Sequence, residues 1–308
     1  MKVAVTSKSF SKNKILISEL KQYFDDVKLN GATKKLNDEE LIIFLEDCDG
    51  AIIALEEISK YVLDSLPNLR VVSKFGVGLD NVDLEYCQKK DVKIGWIGGV
   101  NKQSVAEMAL GFMLMLIRNL YLSSNKLSSG IWDKNGGYSL YGKTIGIIGL
   151  GHIGKELVKL LKPFGCKILV NDIINQDQYY IDNDLIESSK EYIFQNCDIL
   201  SLHMPLNEDT KYIINSDSLH LMKKTAFVVN TARGDLVMLD DLKYFLENNL
   251  ISGAAIDVYD SEPPTDKELL GLENLICTPH IGGNSNEAVL AMGRSSIEFL
   301  RELLNDKR

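Results

Sequence analysis

Apolar residues in this chain occur in short unbroken runs, separated by segments in which they recur every three or four positions. The runs at residues 3–5, 27–29, 51–54, 69–73 and 92–95 predict strands buried on both faces. Between them, residues 14–23, 38–46, 59–66 and 83–90 fit helices; the second has an acidic first turn and the third is stopped by Pro67. Strands alternating with helices predict a parallel sheet covered on both faces, an α/β fold. A longer helix follows. Ser104-Val105-Ala106-Glu107 reads as a capping box, and apolar residues run on to Leu122. Such uniform apolarity predicts a helix covered on most sides, connecting two α/β regions. The second region opens at Thr144, with later strands at 199–202, 226–230, 253–256 and 275–277. An amphipathic helix over 286–304 closes the chain and is expected to fold back on the first region.

Residues 143–172 organise the second region. They read KTIGIIGLGHIGKELVKLLKPFGCKILVND: an apolar strand, G-x-G-x-x-G at Gly149, Gly151 and Gly154, a helix ended by Pro163 and Gly165, and a second strand. Asp172 stands eighteen residues after Gly154. The first glycine permits a tight turn, the second lets a pyrophosphate touch backbone, and the third lets helix pack on strand. The helix N-terminus offers N–H groups and partial positive charge to that pyrophosphate. Asp172 is positioned to accept hydrogen bonds from a ribose. Strand, glycine turn, helix and acid together predict a dinucleotide site.

Composition narrows the partners. The chain has 308 residues, 45% hydrophobic and 25% charged, which suits two globular domains. A net charge of −9 argues against nucleic acid or an anionic membrane as partner. No signal peptide is expected, since the first strand follows Met1-Lys2 directly. Residues 108–117 lack charge but are too few to span a bilayer. Five scattered cysteines without a C-x-x-C pair predict reduced thiols in a cytoplasmic protein, and no metal site.

Open parallel sheets bind ligands beyond the carboxyl ends of their strands. There stand Asn230-Thr231-Ala232-Arg233-Gly234, then Asp257 and Glu262, then Thr278-Pro279-His280-Ile281-Gly282-Gly283. One arginine, one glutamate and one histidine thus converge on the edge that carries the dinucleotide turn. In the first region Lys74-Phe75-Gly76-Val77-Gly78 follows a strand in the same way. Of the other histidines, His152 lies in the dinucleotide turn and is expected to face solvent. His203 follows a strand as a candidate lining the cofactor site, and His220 is expected on a helix surface.

These motifs resemble the NAD-dependent D-2-hydroxyacid dehydrogenases. GLGHIG with Asp172, NTARG with Arg233, IDVYDSEP with Glu262 and TPHIGG with His280 carry the resemblance. Arg233 to Glu262 is 29 residues and Glu262 to His280 is 18, a spacing similar to that family's. VVSKFGVGLDNVDLEYC and NKQSVAEMAL lie nearest its D-3-phosphoglycerate dehydrogenase branch. The resemblance implies two Rossmann-like, doubly wound parallel-sheet domains, the cofactor domain inserted into the substrate domain. It implies a substrate domain of residues 1–99 and 285–308, an NAD-binding domain of 100–284, and a homodimer. The regulatory C-terminal extension of many phosphoglycerate dehydrogenases is not expected. The resemblance also implies cofactor contacts from Gly149, Gly151, His152, Ile153, Gly154, Asp172, His203, Thr231, Ala232 and Asp257, the last toward the nicotinamide carboxamide.

The chemistry implied is hydride transfer between a 2-hydroxy acid and NAD. Backbone N–H groups of Val77 and Gly78 would hold the substrate carboxylate. Arg233 would bind it and polarise the C2 oxygen with a forked cation. His280 would take the hydroxyl proton, with Glu262 favouring its imidazolium. Closing the two domains would expel water from the hydride path. The expected substrate is 3-phosphoglycerate, with Lys74, and with Lys134 in the other region, as basic candidates for its phosphate. Where those phosphoglycerate enzymes carry arginine, position 74 is lysine. The alternatives are a reductase of glyoxylate, hydroxypyruvate or pyruvate type, and a noncatalytic NAD-sensing protein, which would not need the Arg-Glu-His set.

Overall fold

A computed structural model describes residues 1–31 and 35–306. The chain divides into two compact units, Met1–Asn101 with Gly283–Arg308, and Lys102–Gly282. In unit 1 five parallel strands, β1 (Lys2–Val5), β2 (Asp26–Leu29), β3 (Gly50–Ile53), β4 (Val71–Lys74) and β5 (Lys93–Gly95), lie in the order β2-β1-β3-β4-β5. The strand order reverses between β1 and β3, which makes the carboxyl ends of those two strands the natural ligand crevice. β3 and β4 are buried along their whole length, as continuous apolar runs in a two-sided sheet require.

The helix Asn286–Asn305 belongs to unit 1 and packs on this sheet through Ile297, Leu300 and Leu304. Its approach is close. A Cβ at Gly95 would lie 2.4 Å from Phe299 Cβ, and Ser73 Oγ donates to the Ser296 carbonyl at 2.8 Å. Near the chain start, a helix absent from the sequence reading spans Lys8–Lys12. The adjoining helix is Lys14–Leu20, shorter than expected, and Asn13 caps its start by accepting from Ile15 and Leu16 N–H.

Unit 2 holds seven parallel strands: β6 (Thr144–Ile148), β7 (Lys167–Asn171), β8 (Ile186–Glu187), β9 (Ile199–Leu202), β10 (Phe227–Asn230), β11 (Gly253–Ile256) and β12 (Leu275–Cys277). Their order is β12-β11-β10-β9-β6-β7-β8, reversing between β6 and β9. Alternate residues serve opposite layers. Ile145, Ile147 and Val229 pack with Ala106, Ala109, Phe112 and Met113, while Ile148, Leu200 and Val228 pack with Leu242 and Phe245. The two-residue β8 is too short and exposed to leave an apolar run in the sequence.

The long helix departs from expectation in three ways. It is broken into Lys102–Ile117 and Leu120–Ser128, bent by 64°, with Asn119 between them in the left-handed region at φ 50°. Its start lies two residues before Ser104, so Ser104 is inside the first turn and forms no capping box. The Ser104 hydroxyl donates instead to the Gly282 carbonyl at 2.6 Å, and Glu107 accepts from Gln103. Finally, Met108, Leu110, Leu114 and Met115 are only partly buried, so the helix is covered chiefly on the face toward the unit 2 sheet. No single helix among the described residues is long and apolar enough to cross a membrane.

Candidate active site

The dinucleotide turn lies at the reversal point of the unit 2 sheet. Gly149 follows β6 at φ 93°, and a Cβ there would sit 2.6 Å from the His203 carbonyl carbon, just past β9. A Cβ at Gly154 would sit 2.3 Å from Gly149 O. These two glycines let turn, helix and neighbouring strand close on one another. Gly151 differs: nothing lies within 4 Å of a Cβ built there. The space is open where a pyrophosphate would approach. The helix His152–Leu161 starts at Gly151 with no side chain capping it, which leaves its first N–H groups for an anion. His152 is exposed and Ile153 partly buried.

Asp172, just past β7, has a structural task that its position in the sequence does not reveal. Its Oδ2 accepts from Leu150 N–H and its Oδ1 from Ile174 N–H at 2.9 Å, so the acid secures the glycine turn. His203 is held by Ser201, Oγ to Nε2 at 2.8 Å, while its buried Nδ1 has no protein partner. Burial pushes this imidazole down to about 4. Thr231 Oγ1 is likewise buried and unpartnered. Orphaned polar atoms are rare in a folded interior and suit a ligand that supplies the missing bonds. The open Gly151 cradle, the uncapped helix and these two atoms fit a dinucleotide.

Glu262 and His280 are paired. Glu262 Oε2 lies 2.8 Å from His280 Nδ1, and Oε1 lies 3.0 Å away. An ionised carboxylate can only accept, so Nδ1 carries the proton and Nε2 is directed away from the pair. His280 sits in the left-handed region at φ 52°, a cost that the surrounding loop must overcome. Asp257 does so. Only 1% exposed, it accepts from Thr278 Oγ1 at 2.5 Å, from Ile281 N–H at 2.9 Å and from Gly282 N–H at 2.7 Å. A residue singled out for the cofactor therefore also braces the histidine loop.

Arg233 is carried by a turn that Asn230 braces. Asn230 Oδ1 accepts from Ala232 N–H at 3.0 Å, and its Nδ2 donates to the Arg233 carbonyl at 2.7 Å. Arg233 is half-buried and donates from one guanidinium nitrogen to Ala232 O at 2.7 Å. Gly234 then docks this turn on the loop that bears Glu262. A Cβ at Gly234 would lie 2.0 Å from the Tyr259 carbonyl carbon and 2.5 Å from Asp260 N. Asn230, Ser201 and Gly234 were not among the residues singled out from sequence. The signal for Gly234 was present, a glycine directly after the arginine.

In unit 1, Val77 and Gly78 lie in the turn after β4, with Gly76 at φ 138°. The Val77 carbonyl accepts from Trp96 Nε1 at 2.8 Å. Because the peptide is planar and trans, this points the Gly78 N–H the opposite way. Lys74 is the last residue of β4 and 7% exposed, so it is not a solvated surface charge. Its ammonium donates to Ala54 O and to Asn81 Oδ1. Lys134 lies in unit 2 and is exposed.

Residues 110–282 match the model of the NAD binding domain of D-isomer specific 2-hydroxyacid dehydrogenases. The chain is 36% identical over 274 residues to D-3-phosphoglycerate dehydrogenase of Methanocaldococcus jannaschii, covering 87% of this chain and 52% of that protein. It is 33% identical over 281 residues to hydroxypyruvate reductase of Thermotoga maritima, covering 88% and 90%. The crystal structure of the TT0316 protein from Thermus thermophilus superimposes with a TM-score of 0.91 at 27% identity, covering 100% of this chain and 98% of that one. The chain thus spans about half the length of the phosphoglycerate dehydrogenase it matches and nearly all of the hydroxypyruvate reductase.

Two outcomes follow from this geometry. His203 titrates near 6.5 when unfolded and at about 4 when folded. Below pH 6.5 the unfolded chain therefore binds a proton that the folded chain rejects. Stability should fall between pH 6.5 and 4, by about 3 kcal/mol in all from this group. Denaturant unfolding at stepped pH should show that slope, reduced in His203→Gln. Gly234→Ala must displace backbone rather than a flexible side chain, so kcat/KM should drop at least ~100-fold through lost alignment. An unaltered kcat/KM would show that the two loops are not rigidly docked.

Proposed function

The chain belongs to the D-isomer specific 2-hydroxyacid dehydrogenase family, and on that premise we propose that it interconverts a D-2-hydroxy acid and its 2-keto acid with NAD. The observation that carries this reading is the Glu262–His280 contact at 2.8 Å, on a loop held by Asp257, in the same unit as the dinucleotide turn. Bound NAD supplies the acceptor for the C2 hydride. The remaining work falls to the chain. His280 Nε2 takes the proton of the C2 hydroxyl, and the imidazolium so formed is stabilised by Glu262. Arg233 offers its guanidinium to the substrate carboxylate and the C2 oxygen. In unit 1, the N–H groups of Val77 and Gly78 are assigned to a substrate carboxylate. In reduction the proton returns from His280 to the new alkoxide.

For the substrate, the relatives divide between a phosphoglycerate dehydrogenase and a hydroxypyruvate reductase. The ammonium of Lys74, already bonded to Ala54 and Asn81, favours an unphosphorylated acid of glyoxylate, hydroxypyruvate or pyruvate type over 3-phosphoglycerate. A noncatalytic NAD-sensing role would leave the Arg233, Glu262 and His280 set without a purpose. We also assign a cytoplasmic homodimer. Exposed Leu127, Ile131, Trp132, Tyr138 and Tyr141 give unit 2 the kind of apolar surface a second copy would cover, and all five cysteines are free thiols.

The test is NADH oxidation across a panel of 2-keto acids; no turnover with any would reject the assignment. His280→Ala should lower kcat by roughly 10²–10⁴ while NADH binding persists. The Asp172 carboxylate would repel a 2′-phosphate, so kcat/KM should favour NADH over NADPH. Equal values for the two cofactors would count against the ribose role of Asp172.

A further inference from the structure

The reversal point of the unit 1 sheet is filled by the chain itself. Thr6 follows β1 and Ala54–Glu56 follow β3, the two strands between which the order reverses. Glu56 is 3% exposed, and its Oε2 accepts from Thr6 Oγ1 at 2.5 Å and from Ala54 N–H at 3.2 Å. Lys74 approaches the same Ala54 from the other side, donating to its carbonyl. Asn81 completes the cluster. Its Oδ1 accepts from Lys74, and its Nδ2 donates to the carbonyls of Ala54 and Glu56. Backbone bonds from Ile58 N to Asn81 O at 2.8 Å and from Asp83 N to Ile58 O at 3.0 Å zip the two loops together.

This cluster lies directly under the turn assigned to the substrate carboxylate. A Cβ at Gly76 would be 3.4 Å from Lys74 Cε, so the lysine stem supports the Gly76-Val77-Gly78 turn. Its charges, one carboxylate and one ammonium, balance. A phosphate arriving here would meet a buried acid, together with a lysine already engaged by neutral acceptors. To recruit that lysine it would have to break bonds that shape the turn. A buried charge left without its partners is costly, which makes such rearrangement unfavourable.

We propose that the buried Glu56–Lys74–Asn81 cluster is a specificity device, which shapes the carboxylate turn and selects 2-keto acids whose far end is uncharged over phosphorylated ones. The proposal rests on the reading that Val77 and Gly78 bind the substrate carboxylate. Glu56 is the specificity-determining residue, through charge, and Lys74 and Asn81 are positioning residues.

The experiment compares kcat/KM for hydroxypyruvate and phosphohydroxypyruvate with NADH in the wild type, Glu56→Gln, Lys74→Met and Asn81→Ala. The wild type should prefer hydroxypyruvate. Glu56→Gln keeps shape but leaves the cluster net positive, and should shift the ratio toward the phosphorylated acid by roughly tenfold. Lys74→Met and Asn81→Ala should both raise KM for the two substrates in parallel, more than they change kcat. Lys74→Arg should recover part of the Lys74→Met loss. A wild type that prefers phosphohydroxypyruvate would overturn the proposal. So would a Lys74→Met variant that loses only the phosphorylated substrate while Asn81→Ala is silent, the behaviour of a phosphate ligand. Should Glu56→Gln fail to fold, the parallel or selective response of the other two variants still decides. Absence of turnover with either acid in the wild type would instead reject the reaction assignment itself, and this inference with it.

Discussion

The buried carboxylate of Asp257 is the interaction on which the placement of His280 depends. Three donors from one short loop, the Thr278 hydroxyl and the N–H groups of Ile281 and Gly282, end on its two oxygens. A residue this buried must have its acceptor sites satisfied, so the loop has little freedom to move. That rigidity keeps His280 at a positive φ, which its own backbone disfavours, and keeps Nδ1 on Glu262. The loop is positioned first, and the histidine inherits its geometry.

Glycines extend the same logic through unit 2. Gly149 brings the first turn onto the chain after β9, Gly154 brings a helix onto that turn, and Gly234 brings the arginine turn onto the Tyr259–Asp260 backbone. In each case backbone meets backbone, where a methyl group would have no place to go. Polar side chains then lock what the glycines allow: Asp172 on Leu150, Asn230 on Ala232 and Arg233, and Ser201 on His203. Unit 1 solves a similar problem differently. Its turn at Gly76 is propped by the Lys74 stem beneath and by Trp96 at the Val77 carbonyl.

Much of this organisation was legible from residue order. A parallel sheet brings every strand's carboxyl end to one edge, so the residue after each apolar run is a candidate for chemistry wherever it stands in the chain. That rule, with the resemblance, led to Arg233, Glu262, His280 and Asp172. It also separated the chain into alternating strands and helices, because strands buried on both faces leave unbroken apolar runs. Short elements escaped it. β8 has two exposed residues, and the helix Lys8–Lys12 has a single buried side chain, Phe10. The expected capping box at Ser104 failed because a capping pattern in sequence does not fix where the first helical turn begins.

The sequence alone therefore determined the α/β class and the glycine turn, and it singled out Asp172, Arg233 and His280 as candidates to meet a ribose, a carboxylate and a proton. These follow from local spacing and side-chain chemistry. Only the tertiary structure decided which groups were already engaged. Asp257 was read as a cofactor contact and also proved to brace the His280 loop, because its three donors come from residues more than twenty positions away. Lys74 was read as a basic residue beside a glycine turn. Its bonds to Ala54 and Asn81, and its burial beneath Gly76, arise because adjacent parallel strands bring the ends of β3 and β4 together and the loop after β4 folds back over them. Whether a charge meets solvent, a ligand or its own chain depends on neighbours distant in sequence, and folding supplies those neighbours.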